Sequence, residues 1–241
     1  MDALHLAIFL IATFAGAFVT GLTGFAFGLI VSSAWLFIMT PAETASLIIA
    51  FGLIVQGYAV WKLRHALDWR KFWPFVVGAA FGVPLGVAAL TWANPAYVRG
   101  AIGAFLVVFS LYSLFRPPLH VTSAGPLADA GVGFLNGALA GLSGLAGILV
   151  IIWCQLRGWT RDQQRAVFQP VAIAIFLMSA AWLGGSGAVG AQTAWLFVFG
   201  LPVLLAGTWL GMKLYGRIDE AAFRKAVLVV LLVSGVALMM V

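Results

Sequence analysis

Gly137-Ala-Leu-Ala-Gly-Leu-Ser-Gly-Leu-Ala-Gly147 sits in the middle of an apolar stretch that runs from about 127 to 153. A uniform stretch of that length would cross a membrane as one helix, which takes about 20 residues. This one is crowded with glycine, and each glycine inside a helix costs about 1 kcal/mol against alanine. The helix is therefore predicted to open here. Gly16-Ala-Phe-Val-Thr-Gly-Leu-Thr-Gly-Phe-Ala-Phe-Gly28 interrupts the first apolar stretch, 4–38, in the same way. At an offset of 120, Gly21-Leu22-Thr23-Gly24 aligns with Gly141-Leu142-Ser143-Gly144, and Thr40 aligns with Thr160. Further on the offset becomes 125, where Gly82-xxx-Gly86 meets Gly207-xxx-Gly211 and Arg99 meets Arg224. Two motif sets matched in the same order indicate a duplication. The chain is read as one membrane domain, 1–241, made of a first repeat, 1–120, and a second, 121–241.

Working outward, the remaining apolar stretches fall at about 42–62, 72–91, 97–115, 166–184, 193–213 and 222–240. The composition is 63% hydrophobic and 8% charged, with a mean hydropathy of +1.10, whereas soluble domains carry roughly 25% charged residues. Only a bilayer can take up so much apolar surface, and lipid demands that every backbone group be paired within the segment. The expected class is thus an all-α integral membrane protein.

The 13 Lys and Arg give a net charge of +6, but they sit in short inter-helix segments. No basic, aromatic-rich region exists to hold nucleic acid. Topology accounts for them better. If each glycine-broken stretch is a hairpin that returns to its own face, twelve of the 13 share one side and only Arg99 lies opposite. If each is a straight span, the split is five against eight. The positive-inside rule selects the hairpins. Each repeat then has one broken-helix hairpin plus three transmembrane helices, an odd number of crossings. The second repeat is therefore inverted relative to the first, an arrangement found in many secondary transporters.

Opened backbone at membrane depth must line a protein cavity, and the free N–H groups at the start of a half-helix attract anions. Thr20, Gly21, Thr23 and Gly24 in the first repeat, and Asn136, Gly141, Ser143 and Gly144 in the second, are the candidate substrate-binding residues. Arg165, with Gln169 one turn later and Pro170 beside it, can face a cavity and draw in an anion. Gln56 lies central in its span, where a lone amide belongs in the protein interior. Gly78-xxx-Gly82-xxx-Gly86 and Gly207-xxx-Gly211 read as helix-packing faces. No Asp or Glu sits at a span centre to form a proton relay; Glu43 and Asp129 are the nearest candidates, and as helix-start residues they read as caps. The single cysteine, Cys154, and the scattered His5, His65 and His120 offer no metal site. No catalytic motif is present, so neither an enzyme nor a cofactor is expected.

The two glycine segments quoted above resemble the paired signatures of the TauE/SafE family, the sulfite exporter proteins. Leu156-Arg-Gly-Trp-Thr-Arg-Asp-Gln-Gln-Arg-Ala166 resembles the basic segment that follows the second signature, with Arg165 on the family's arginine. The resemblance covers essentially the whole chain. Ala26 stands where glycine is common in the family, and the prolines that often follow each motif are missing. The resemblance implies transport of a sulfur-containing anion, an oxyanion such as sulfite or an organosulfonate.

The sequence is accordingly read as a multi-pass secondary transporter of the inner membrane. The two glycine motifs are expected to meet near the midplane and strip the anion of its water. Its expected partners are the anionic substrate, a coupling proton or other ion and the lipid bilayer, with a homodimer allowed. An anion channel, or a membrane-embedded subunit of a larger complex, is the alternative.

Overall fold

A computed structural model of the protein describes residues 2–63, 69–115, 124–185, 190–214 and 220–240. These residues form ten helices and no strand: α1 (Ala3–Thr23), α2 (Phe27–Ile38), α3 (Pro41–Leu63), α4 (Trp69–Trp92), α5 (Pro95–Phe115), α6 (Pro126–Ser143), α7 (Ile148–Leu156), α8 (Arg161–Gly185), α9 (Ala191–Leu214) and α10 (Glu220–Met240). Among them α1, α3, α4, α5, α8 and α9 are long and apolar enough to cross a membrane. Large apolar side chains stand exposed along these helices, as on Ile11, Phe81, Leu85 and Val108. Lipid, not a protein core, covers such surface in a membrane protein.

Both glycine segments are helix breaks. α1 ends at Gly24, in the left-handed region at φ 84°, with its N–H donating to the Thr20 carbonyl. α6 ends at Gly144, at φ 75°, with its N–H donating to the Ala140 carbonyl. This is the usual glycine exit from a helix. After each break the chain turns back beside the helix it has left. Trp35 of α2 stacks on Phe9 of α1, with ring centroids 4.9 Å apart. At the far end of the second hairpin, Arg157 reaches Asp129. The breaks fall three residues later than the first glycine of each motif, because Gly21 and Gly141 stay helical.

Two start signals repeat as well. The Thr40 N–H donates to the Glu43 carboxylate at 3.0 Å, and the Glu43 N–H donates to the Thr40 hydroxyl. The Thr160 N–H donates to Gln163 Oε1 at 3.0 Å, and the Gln163 N–H donates to the Thr160 hydroxyl. These are reciprocal capping boxes. The second explains why α8 begins at Arg161, five residues before the apolar stretch predicted at 166: its first turn is polar and capped, so hydropathy misses it.

The helices gather into two compact units. One holds residues 1–48, 93–117 and 190–241; the other holds 49–92 and 118–189. The boundary between the sequence halves is not a boundary between units. In the first unit α1, from the first half, packs on α9, from the second. Gly207 and Gly211 of α9 lie against the Phe14 and Phe18 carbonyls of α1, and a Cβ on Gly21 would meet the Thr208 carbonyl at 2.5 Å. In the second unit α6, from the second half, packs on α4, from the first. Gly78, Gly82 and Gly86 lie against the Ala130, Phe134 and Ala138 carbonyls, and a Cβ on Gly141 would meet the Val83 carbonyl at 2.5 Å. Val83 and Thr208 are related by the offset of 125, and Gly21 and Gly141 by 120. One close approach thus occurs twice with the halves exchanged. The predicted glycine packing faces are present at both places.

Candidate functional site

In the second unit the site is built around the start of α7. Nine residues give α7 a length of about 13.5 Å. Its far end is pinned by the pair of Arg157 with Asp129. The N–H groups of the first turn lack helical acceptors, as at every helix start. Asn136 Oδ1 accepts from the Leu149 N–H at 3.1 Å. The Gly147, Ile148 and Val150 N–H groups have no acceptor among the described residues. Asn136 is fully buried, and its Nδ2 has no partner among the described residues. Gly147, the residue before α7, has φ 87° and lies against Phe168 and Ala172 of α8. That contact brings α7's start to the stretch of α8 that carries Gln169.

Gln169 is 4% exposed, and its Oε1 has no partner. Arg165, one turn earlier, is half-buried, with no hydrogen-bond or ion-pair partner among the described residues. Pro170 removes the N–H that would have paired with the Ala166 carbonyl. Gln56 on α3 is buried with an unpartnered Oε1. One turn before it, Gly52 faces the Phe176 ring of α8. The start of α7 and the neighbouring stretch of α8 therefore hold an unpartnered cation, two amide side chains with unpartnered atoms and a half-helix start among the described residues. A buried polar group without a partner costs about 1–3 kcal/mol. Among the described residues the second unit holds four such groups, on Gln56, Asn136, Gln169 and Ser179.

The first unit holds Thr20, Gly21, Thr23 and Gly24. Thr20 donates its hydroxyl to the Gly16 carbonyl at 2.8 Å. Thr23 shares its hydroxyl between the Val19 and Phe25 carbonyls. Ser143, in the second unit, likewise donates to the Leu139 carbonyl at 2.6 Å. These hydroxyls are taken up by nearby backbone as donors, and those of Thr23 and Ser143 also accept from the Phe25 and Leu145 N–H groups just past the helix ends. Gly21 and Gly141 are taken up by packing on α9 and α4. The Gly28 and Leu29 N–H groups at the start of α2 have no acceptor among the described residues. Position 16, which aligns with Asn136 at the offset of 120, is glycine, and Val31 and Phe27 fill the space beside it.

One cluster was not visible in the sequence. Asp129, read as a cap, caps nothing. Its carboxylate accepts from Trp153 Nε1 at 2.7 Å and pairs with Arg157 at 3.0 Å. Arg157 also lies 4.9 Å from the Trp159 ring centroid, and Lys71 lies 5.0 Å from it. The side chain of a cap bonds the first N–H groups of its own helix, but the return of α7 places two stronger donors in reach. Glu43 does act as its reading expected, inside a capping box.

Broken-helix hairpins packed on long apolar helices define a polytopic helical membrane protein. A family model described as Sulfite exporter TauE/SafE matches residues 8–238, nearly the whole chain. The chain belongs to this family of membrane transporters. No curated protein and no solved structure matches it.

Proposed function

We propose that the protein is a secondary transporter that exports a small anion, sulfite or an organosulfonate, across the cytoplasmic membrane. The observation that carries this reading is the start of α7: free N–H groups and a fully buried amide, beside the helix that carries Arg165. The positive end of α7's dipole favours an anion there. The anion's oxygens replace lost water with bonds from the α7 amides and Asn136, and Arg165 draws the anion in. Gln56 and Gln169 complete the polar surroundings. The amides at the start of α2 offer a second station on the first repeat.

The two halves are read as inverted repeats that expose the site alternately to the two sides of the membrane. The basic loops around 62–71, 153–165 and 213–225 face the cytoplasm by the positive-inside rule.

The test is a melting-temperature screen of purified protein with sulfite, thiosulfate, sulfoacetate, taurine and simple carboxylates, followed by flux in vesicles. A ligand at 100 times its Kd stabilises by about 2.7 kcal/mol. The expected result is stabilisation by a sulfur oxyanion or sulfonate, with saturable flux. No stabilisation by any anion, and no flux, would overturn the reading.

A further inference from the structure

Asn136 is oriented by the atom it faces. Only its carbonyl oxygen can accept from the Leu149 N–H, so Oδ1 points into the start of α7 and Nδ2 points away. The result is one-sided. Oδ1 sits where a negatively charged oxygen would bind best, on the positive end of a half-helix, while Nδ2 is buried with no partner among the described residues. The aligned position in the first repeat is Gly16, so the start of α2 has no such side chain.

We propose that Asn136 is a built-in stand-in for the transported anion. In the unloaded site its Oδ1 occupies an oxyanion's place on α7. The arriving anion displaces it from the Leu149 N–H, and the amide turns so that Nδ2 donates to the anion. The Leu149 N–H is thereby never left bare. A neutral amide oxygen is a weak occupant that an anion outcompetes. A carboxylate at the same place would be a strong one.

This inference rests on the transporter reading above, and the variants separate the two. In Asn136→Asp the side chain keeps its shape but carries a charge, which the helix start favours. The unloaded variant should melt at or above the wild-type temperature, and its affinity for sulfite at pH 7.5 should fall at least a hundredfold. Asn136→Ala removes the occupant together with one donor, so its sulfite affinity should stay within tenfold of wild type, with a lower unloaded melting temperature. Sulfite binding to Asn136→Asp at wild-type strength overturns the inference and leaves the transporter reading standing. Equal, severe losses in both variants show Asn136 to be an essential donor and overturn it too. An Asn136→Asp protein that does not fold contradicts the capping geometry beneath it. A wild-type protein that binds neither sulfite nor a sulfonate overturns the parent reading, and this one with it.

Discussion

Replacing Arg165 by glutamine isolates the attraction from the fold. Arg165 lies on α8 one turn before the buried Gln169, and it has no intramolecular partner among the described residues. Removing it strands no carboxylate, so the melting temperature of the unloaded protein should barely move, as for a surface substitution within about 0.5 kcal/mol. Binding should respond differently. A charge-assisted hydrogen bond contributes about 1.5–3 kcal/mol, and each 1.4 kcal/mol is about a factor of ten in affinity. Loss of the guanidinium should therefore weaken anion binding roughly tenfold to a hundredfold. Lysine should recover only part of this, because it keeps the charge but not the planar fork that grips two oxygens.

The assay is sulfite binding to the purified variant, then export from loaded vesicles. Arg70→Gln is the control: Arg70 is exposed in the first turn of α4, among the same basic loops. The expected result is a loss confined to Arg165→Gln. Equal, small losses in both variants would refute the reasoning. Arg165 would then be a topology charge only, and the site would have to be built from the backbone amides and Asn136.

Three further outcomes concern the fold. Ala26 is the only non-glycine at positive φ among the described residues, at φ 86°, and a left-handed L-residue costs roughly 1–2 kcal/mol; Ala26→Gly should raise the melting temperature by an amount equivalent to about 1 kcal/mol, and a decrease would show that the strain is absent. Gly82→Ala places a Cβ on the Phe134 carbonyl and should destabilise by about 1–3 kcal/mol or more, whereas Gly57→Ala, which meets nothing within 4 Å, should be neutral or stabilising in the same melt. Asp129→Asn leaves Arg157 without its charge partner and should cost about 3 kcal/mol, near the lower end for a broken buried pair, because Arg157 keeps its stacking on Trp159; unchanged stability in denaturant would show that the pair contributes nothing.

The spans were legible because lipid imposes a simple rule on sequence. A helix in a bilayer must be apolar for its whole depth, so hydropathy locates it. The rule does not register a polar, capped first turn such as that of α8. The breaks were legible because glycine is costly in a helix and the cost is repeated at matched positions. What sequence could not supply was the register of each hairpin's return. Asn136 bonds Leu149 thirteen positions away, and Asp129 bonds Arg157 twenty-eight positions away. Both contacts exist only once the angle and rise of the returning helix are fixed. Asn136 stood out as a polar residue in an apolar stretch; its partner did not. Asp129 was misread because its local setting, the first turn of a helix, has a common local explanation that a distant partner overrides.

The form of the glycine motif follows from the same geometry. Its two glycines, three residues apart, serve different purposes. Gly21 and Gly141 let α1 and α6 approach the backbones of α9 and α4, where any side chain would collide. Gly24 and Gly144, just under one turn later, take the left-handed conformation that ends the helix. A longer spacing would let the break drift away from the packed point, and a shorter one would place both glycines on different faces of the same turn. At three residues the helix stops immediately beyond the place where it is wedged against its neighbour. The break is then held in position by packing rather than by its own weak backbone. A site made of bare N–H groups needs that support, because it has few side chains to hold its shape.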